Sequence, residues 1–204
     1  MKKGCCLLIV LLLLIPPVLL ICLMFYEHES INTDLEWYPS ARIGTGNAQQ
    51  FLPTLEELGT DCKIDFTYKK TSYYIFTTYG IALFVQYDSE DYGEKKSETL
   101  GKYQFLDAPA VDFSGDIQLT ESVDYRGFHF QIAPDPEYIY FQDTPEYREH
   151  HSCKSFVMIG TNDDTHTIAY LYFFDPDVDY IATEDEDPYA EMQSEIDFAF
   201  AWPE

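Results

Sequence analysis

Residues 155–174 read SFVMIGTNDDTHTIAYLYFF, and this stretch decides the fold class. Two runs rich in apolar, β-branched and aromatic residues flank the connection TNDDTH at residues 161–166. Such runs favour strands, whereas Asn and Asp favour turns because their side chains bond to nearby backbone groups. The stretch therefore predicts a β-hairpin with one strand on each side of the connection.

Further strand patterns precede this hairpin in the chain. Residues 63–70 alternate between polar and apolar side chains, and residues 127–134 repeat the alternation. A period of two is typical of a half-buried strand. Residues 73–88 predict two more strands that turn near residues 78–80, where a glycine stands. The second of these is apolar on both faces, which favours a central position in the sheet.

Helical patterns are few. Residues 48–59 have apolar side chains at helical spacing, and residues 89–100 are charged and weakly helical. Residues 187–202 predict a C-terminal helix, with Pro188 suitably placed in its first turn. Strand runs with only a few helices predict an α+β fold, in which an antiparallel sheet has a few flanking helices. We expect one N-terminal transmembrane helix to precede this domain.

The N-terminal segment has the length of a membrane span. Two lysines precede an uncharged and mostly apolar run over residues 4–26. As an α-helix this run extends roughly 34 Å, which is enough for a hydrocarbon core of about 30 Å. No small-residue cleavage triplet follows it, so the pattern predicts an uncleaved signal anchor. Secretion after signal cleavage is the alternative that stays open.

Lys2 and Lys3 determine the expected orientation, because positive residues beside a span stay in the cytoplasm. We therefore expect a single-pass protein of the cell membrane with its C-terminal domain outside the cytoplasm. The expected segments are a cytoplasmic stub over residues 1–3, the span over 4–26, a linker over 27–47 and the domain over 48–204. The linker is expected because that segment is polar and has little periodicity.

The chain is strongly acidic. It contains 36 acidic and 12 basic residues, for a formal net charge of −24. This charge excludes nucleic acid and anionic headgroups as electrostatically favoured partners. Residues 155–204, named here the acidic tract, contain thirteen acidic residues and no Lys or Arg. We expect the acidic tract to form one face that attracts a basic protein partner or cations.

Residues 175–186, DPDVDYIATEDE, have the carboxylate spacing of a calcium-binding EF-hand. Asp175, Asp177, Asp179 and Glu186 occupy positions 1, 3, 5 and 12 of such a loop. Position 6 is Tyr180 where the loop requires glycine, and the preceding pattern is a strand rather than a helix. Weak Ca²⁺ binding by these four carboxylates is therefore an alternative function, and the sequence indicates no other cofactor.

Cys62 and Cys153 are the only cysteines after residue 26. Each stands before a lysine and a strand-like run, and outside the cytoplasm such a pair can form a disulfide. If the two strands are neighbours, the bridge closes a loop of about 90 residues and stabilises the fold by about 4 kcal/mol in chain-entropy terms. Two separate small apolar residues are the alternative.

No motif indicates catalysis. The sequence has no G-x-S-x-G turn and no glycine-rich phosphate loop that follows a strand. Glu149, His150, His151 and Cys153 are adjacent, but no second ligand pair with zinc-like spacing accompanies them. We therefore interpret the protein as a non-enzymatic binding or interaction module. The calcium-binding module is one alternative to this interpretation. A small hydrolase, whose catalytic residues meet only in the folded chain, is another and less favoured one.

Overall fold

The computed structural model describes residues 15–17, 27–73, 76–111, 117–136, 154–176 and 187–203. The strands are β1 (Glu27–Asn32), β2 (Lys63–Tyr73), β3 (Phe76–Gln86), β4 (Ala110–Val111), β5 (Ile117–Leu119), β6 (Ser122–Tyr125), β7 (Phe128–Pro134), β8 (Lys154–Asn162) and β9 (Thr167–Asp175). The helices are α1 (Tyr38–Gly44), α2 (Ala48–Phe51), α3 (Leu55–Leu58), α4 (Tyr92–Leu100) and α5 (Pro188–Ala199), and Leu35–Trp37 forms one turn of 3₁₀ helix.

Seven strands form one antiparallel sheet in the order β1-β2-β3-β9-β8-β7-β6, and β4 pairs with β5 in a separate ribbon. The predicted hairpin is confirmed, because β8 and β9 pair from Lys154 opposite Asp175 to Asn162 opposite Thr167. An antiparallel sheet with a few helices, as in an α+β fold, is thus the architecture of the described residues.

Both faces of the sheet are covered, and this explains the strands that are apolar on both sides. The side chains that face α1–α4 include Phe66, Ile81, Leu83, Val85, Val157, Ile159, Ile168, Tyr170 and Tyr172. Those that face α5 and the β4–β5 ribbon include Ala82, Phe84, Phe130, Ile132, Phe156, Met158, Ala169, Leu171 and Phe173. The two sets alternate along β3 and β9, so each strand contributes to two apolar layers.

The single helix predicted over residues 48–59 is two short helices. Leu52 has extended backbone angles (φ −83°, ψ 139°) and ends α2. The reason is Pro53, since a proline disfavours the helical conformation of the residue before it. Thr54 and Glu57 then form a capping box that starts α3.

The turn predicted near residues 78–80 is wrong, because β3 runs through Gly80 and the chain reverses between Tyr73 and Phe76. Gly80 serves packing instead of a turn. A Cβ atom at this position would collide with the backbone carbonyl of Ala199 at the end of α5. The glycine therefore lets the C-terminal helix approach the backbone of the sheet directly.

The linker predicted over residues 27–47 is also wrong. This segment begins the fold, since β1 pairs with β2 along its whole length. Tyr38 and Ala41 on α1 are buried in the core. The segment lacks periodicity because β1 is an edge strand and its residues 28–31 are all exposed. The described domain therefore includes residues 27–47.

The premise for a Cys62–Cys153 disulfide does not hold, because β3 and β9 separate β2 from β8. Register places Lys63, next to Cys62, level with Asn162 at the far end of β8 from Lys154. About 26 Å of strand separates those two ends of β8 at about 3.3 Å per residue. Cys153 itself lies outside the described residues.

The predicted transmembrane helix over residues 4–26 lies almost entirely outside the described residues. Residues 15–17 of this run are helical. Within the part of the chain that the structure describes, no helix combines the length and the apolar character needed to cross a membrane. The anchor thus stays a prediction.

Substitution of Gly80 tests the contact between α5 and the sheet. We expect Gly80→Ala to lower the free energy of unfolding by about 1–3 kcal/mol, because the added methyl group overpacks the interface with Ala199. Gly93 on α4 is the matched control, since a Cβ atom there meets nothing within 4 Å. Gly93→Ala should stabilise the fold by roughly 0.5–1 kcal/mol through helix propensity. Urea unfolding measures both, and an equal effect of the two variants would refute the contact.

Candidate functional site

A cavity of about 790 Å³ opens on the face of the sheet that carries α1–α4. One wall is residues 49–53, which are the end of α2 and the start of its connection to α3, and the other is residues 102–107, which follow α4. Ala133, Asp135 and Tyr170 form its floor. Sites for small molecules usually have volumes of about 300–1,000 Å³ and combine apolar walls with a few convergent polar groups. The cavity is therefore the candidate functional site.

Arg42 on α1 holds the first wall in place. Its Nε atom donates to the carbonyl of Leu52 at 2.7 Å, and Nη2 donates to the carbonyl of Gln49 at 2.6 Å. The last carbonyls of a helix have no partner within the helix, and a guanidinium group has donors in a fixed fork. Arg42 therefore satisfies the C-terminal end of α2 and fixes the connection to α3.

Two phenols, the buried Tyr38 and the partly buried Tyr103, fix the same wall from other directions. The hydroxyl of Tyr38 donates to the carbonyl of Pro53 at 2.5 Å, and that of Tyr103 donates to the carbonyl of Phe51 at 2.6 Å. Burial raises the pKa of both phenols well above the ordinary value. They remain neutral donors throughout the physiological range.

The second wall follows α4 and packs onto the sheet. The backbone N–H of Leu106 donates to the carbonyl of Ile132 at 2.9 Å. The rings of Tyr103 and Phe105 lie 5.8 Å apart between their centroids. This wall therefore presents aromatic surface to the cavity from a segment anchored to β7.

The floor contains a buried carboxylate. Asp135 is only 1% exposed. Asn47 Nδ2 lies 3.3 Å from its Oδ1, while the hydroxyls of Ser155 and Tyr172 lie 3.2 and 3.4 Å from its Oδ2. A carboxylate is an acceptor only, so these donors compensate its burial. The cluster joins the turn before α2 to the strands β8 and β9 and shapes the floor.

The charges around the cavity have both signs. Arg42 and Lys102 line it together with Glu57, Asp107 and Asp135. The backbone N–H and hydroxyl of Thr54 lower the pKa of Glu57, and the two cations lower it further. The cavity therefore lacks the single-sign field that selects a highly charged ligand.

The uncharged polar lining is rich in amides. Gln49, Gln50 and Gln104 are exposed and lie on both walls. An amide both donates and accepts, as a hydroxyl group does. Among the described lining residues there is no Ser, Cys or His to act as an activated nucleophile or base. The polar groups of the lining are amides, charged side chains and the hydroxyls of Thr99, Tyr103 and Tyr170.

The carboxylates predicted to hold calcium are only partly described. Asp175 is the last residue of β9 and is 7% exposed. It lies opposite Lys154 in the register of β8 and β9. Asp177, Asp179 and Glu186 lie outside the described residues. Within the described ranges no group of three or more His, Cys, Asp or Glu side chains could hold a metal ion. Calcium binding stays a prediction.

The described acids of the acidic tract belong to separate regions. Asp163 and Asp164 lie in the β8–β9 turn, whereas Asp175 ends β9 at the opposite end of the sheet. Asp197 lies on α5, where it pairs with Arg126 at 3.2 Å. The described part of the tract therefore does not lie on one face.

A different set of acids gathers at one end of the sheet. Here β2 begins, β3 ends and β8 turns into β9. Its exposed carboxylates are Asp61, Asp88, Glu90, Asp91, Asp163 and Asp164, and we name this surface the acidic end. Lys96 pairs with Asp163 at 2.6 Å and neutralises part of it. Three chain segments contribute, so no single run in the sequence marks this surface.

Sequence reasoning missed the cavity as well. Arg42 stood in the predicted linker, and residues 101–107 had no recognised pattern. The available signal was the cluster of aromatic residues Tyr103 and Phe105 beside a weak helix.

No protein-family model, curated protein or solved structure matches the chain.

Alkaline unfolding should follow from the buried phenols around the cavity. Burial raises the pKa of Tyr38, Tyr103 and Tyr170, the last to about 12, against an ordinary value of 10.0. The unfolded chain releases these protons first, so stability is full below pH 10 and falls as the pH rises toward 12. Each phenol contributes about 1.4 kcal/mol per pH unit in that window.

Tyrosinate absorbance and circular dichroism recorded together measure this effect. We expect a late fraction of the tyrosines to ionise in one cooperative step with loss of secondary structure. The same titration in concentrated denaturant is the control and should show ordinary tyrosine ionisation. Complete ionisation near the ordinary value in a chain that stays folded would contradict the burial argument.

Proposed function

We propose that the protein is a non-enzymatic binding module, held outside the cytoplasm by residues 4–26, that binds a small neutral ligand rich in hydroxyl groups. The cavity between residues 49–53 and 102–107 is the proposed site. The observation that carries the proposal is the combination of glutamine amides, aromatic rings and charges of both signs around one cavity of about 790 Å³.

Neutrality of the ligand follows from the charges. Two cations and three carboxylates line the cavity. Arg42 is already engaged by two carbonyls, and Lys102 pairs with Glu98 at 3.0 Å. An anionic ligand would compete with these interactions, and a cationic ligand would meet Arg42 and Lys102. A neutral ligand neither competes for the partners of Arg42 and Lys102 nor is repelled by these two cations.

The hydroxyl-rich character follows from the amides and the rings. Gln50 and Gln104 present exposed amides on opposite walls, and each amide can donate to and accept from a hydroxyl group. Phe51, Tyr103 and Phe105 provide partly buried aromatic surface between them. A saccharide has hydroxyl groups around an apolar ring face, so this combination fits a saccharide better than a purely apolar molecule.

The membrane anchor and the external location are proposals from the sequence. The apolar run over residues 4–26 and the two preceding lysines support them. They place the cavity where it meets molecules of the cell exterior. A saccharide is an abundant kind of neutral ligand in that setting.

Calorimetry with glucose, galactose, mannose and N-acetylglucosamine tests the ligand class. We expect one of these probes to bind with a dissociation constant on the order of 1 mM. Gln50→Ala and Gln104→Ala should each weaken binding about fivefold, which corresponds to about 1 kcal/mol for one hydrogen bond.

Gln86→Ala is the matched control for this experiment. Gln86 is the last residue of β3, is exposed, does not line the cavity and donates to the carbonyl of Thr165 at 3.1 Å. Its replacement should leave the affinity unchanged. Absence of heat with all four sugars, or equal losses in all three variants, would refute saccharide binding in the cavity.

A basic protein partner is a second candidate, and the acidic end is the observation that favours it. Six exposed carboxylates gather there. We expect a lysine-rich peptide to associate with the protein at a rate that falls as salt is added, because screening weakens electrostatic steering. Glu90→Gln combined with Asp164→Asn should slow association more than Glu36→Gln combined with Glu56→Gln, whose positions lie near α1 and α3. Equal slowing in stopped-flow measurements would show that net charge alone attracts the peptide.

A further inference from the structure

The register of β1 determines where the N-terminal segment enters the sheet. Glu27 directly follows the apolar run over residues 4–26 and is the first residue of β1. It pairs with Tyr73, the last residue of β2, which in turn pairs with Phe76 at the start of β3. The segment therefore enters beside the reversal from β2 to β3, which we name the hairpin end.

No spacer separates the apolar run from the fold. A strand rises about 3.4 Å per residue, so His28 and Glu29 lie within about 10 Å of the last residue of the run. A flexible linker would have allowed the domain any distance and orientation. Direct entry into a hydrogen-bonded edge strand restricts both the distance of the domain from the apolar run and its orientation.

Charge also distinguishes the two ends of β2. Glu27 and Glu29 are the acidic residues of β1, and Lys70 and Lys69 pair with the next β1 residues, Ser30 and Ile31. The formal charges of these four residues, Glu27, Glu29, Lys69 and Lys70, sum to zero. Lys69 pairs with Glu29 at 2.7 Å. The opposite end of β2 begins beside the acidic end. On β1 and β2 the charges toward the hairpin end therefore balance, whereas carboxylates are in excess at the other end. Asp175, the last residue of β9, also lies at the hairpin end, because the preceding Phe174 pairs with Tyr79 near the start of β3.

We propose that the hairpin end of β1, β2 and β3 is seated on the headgroups of the bilayer that residues 4–26 span, with the acidic end directed away from it. This inference rests on the membrane anchor of the proposed function. The proposal is limited to β1, β2 and β3. Each strand of a sheet is rotated by about 20–25° relative to its neighbour, so the more distant strands run in a different direction.

The length of β2 makes this orientation effective. β2 has 11 residues, so its two ends lie roughly 33 Å apart at about 3.3 Å per residue. This separation is about four Debye lengths at physiological ionic strength, each about 8 Å. The acidic end then stands beyond the field of the bilayer, where it is free to meet soluble molecules.

Fluorescence quenching of the full chain in phosphatidylcholine vesicles with headgroup-attached nitroxide tests the seating. In a background without native cysteines, a fluorophore is attached at His28→Cys or at Gln86→Cys. Both positions are exposed strand residues, and they lie toward opposite ends of the β1–β3 region. We expect strong quenching at position 28 and none at position 86.

A spacer variant provides the control. Insertion of about eight Gly and Ser residues before Glu27 adds a flexible reach of roughly 15 Å and should reduce the quenching at position 28. Carbonate extraction separates the two proposals. Loss of the chain from the vesicles would overturn the anchor and the seating together. Retention with equal quenching at both positions, or with quenching unaffected by the spacer, would overturn the seating alone.

Discussion

Burial of β9 on both faces is the constraint on which the rest of the structure depends. Every described residue of β9 except Phe174 is buried. A strand that is apolar on both sides needs a layer on each face, because exposed apolar surface costs about 25 cal/mol per Å². Helices α1–α4 form one layer, and α5 with the β4–β5 ribbon forms the other. The cavity arises in the first layer, where short helices leave space between their connections.

Local patterns in the sequence predicted the parts of the fold that are determined locally. The β8–β9 hairpin, the alternation of β7 and the C-terminal helix each have a period or a turn signal within one short stretch. Gly80 and β1 were misread because their roles depend on distant residues. The first provides space for the carbonyl of Ala199, and the second pairs with the distant strand β2 at the edge of the sheet, where its residues 28–31 are exposed. Neither circumstance leaves a periodic signal.

The candidate site was not predictable for the same reason. Its first wall is held by Arg42, Tyr38 and Tyr103, which reach the backbone of residues 49–53 from separate parts of the chain. The acidic tract illustrates the converse. A contiguous run of charge becomes divided in an antiparallel sheet, since Asp163 and Asp175 lie at opposite ends of β9. The acidic end combines Asp163 and Asp164 of the tract with acids of two other segments, and one face formed by the whole tract stays a prediction.

The scarcity of positive charge makes each basic residue informative. Only ten of the 12 basic residues follow the apolar run. Lys69 and Lys70 balance the hairpin end, Arg42 and Lys102 line the cavity, and Lys96 and Arg126 each pair with an acid of the acidic tract. In a chain with a net charge of −24, electrostatic self-repulsion opposes compaction. Cations placed at these points reduce the local repulsion where the fold brings carboxylates together, and they leave the acidic end as a surface on which negative charge remains in excess.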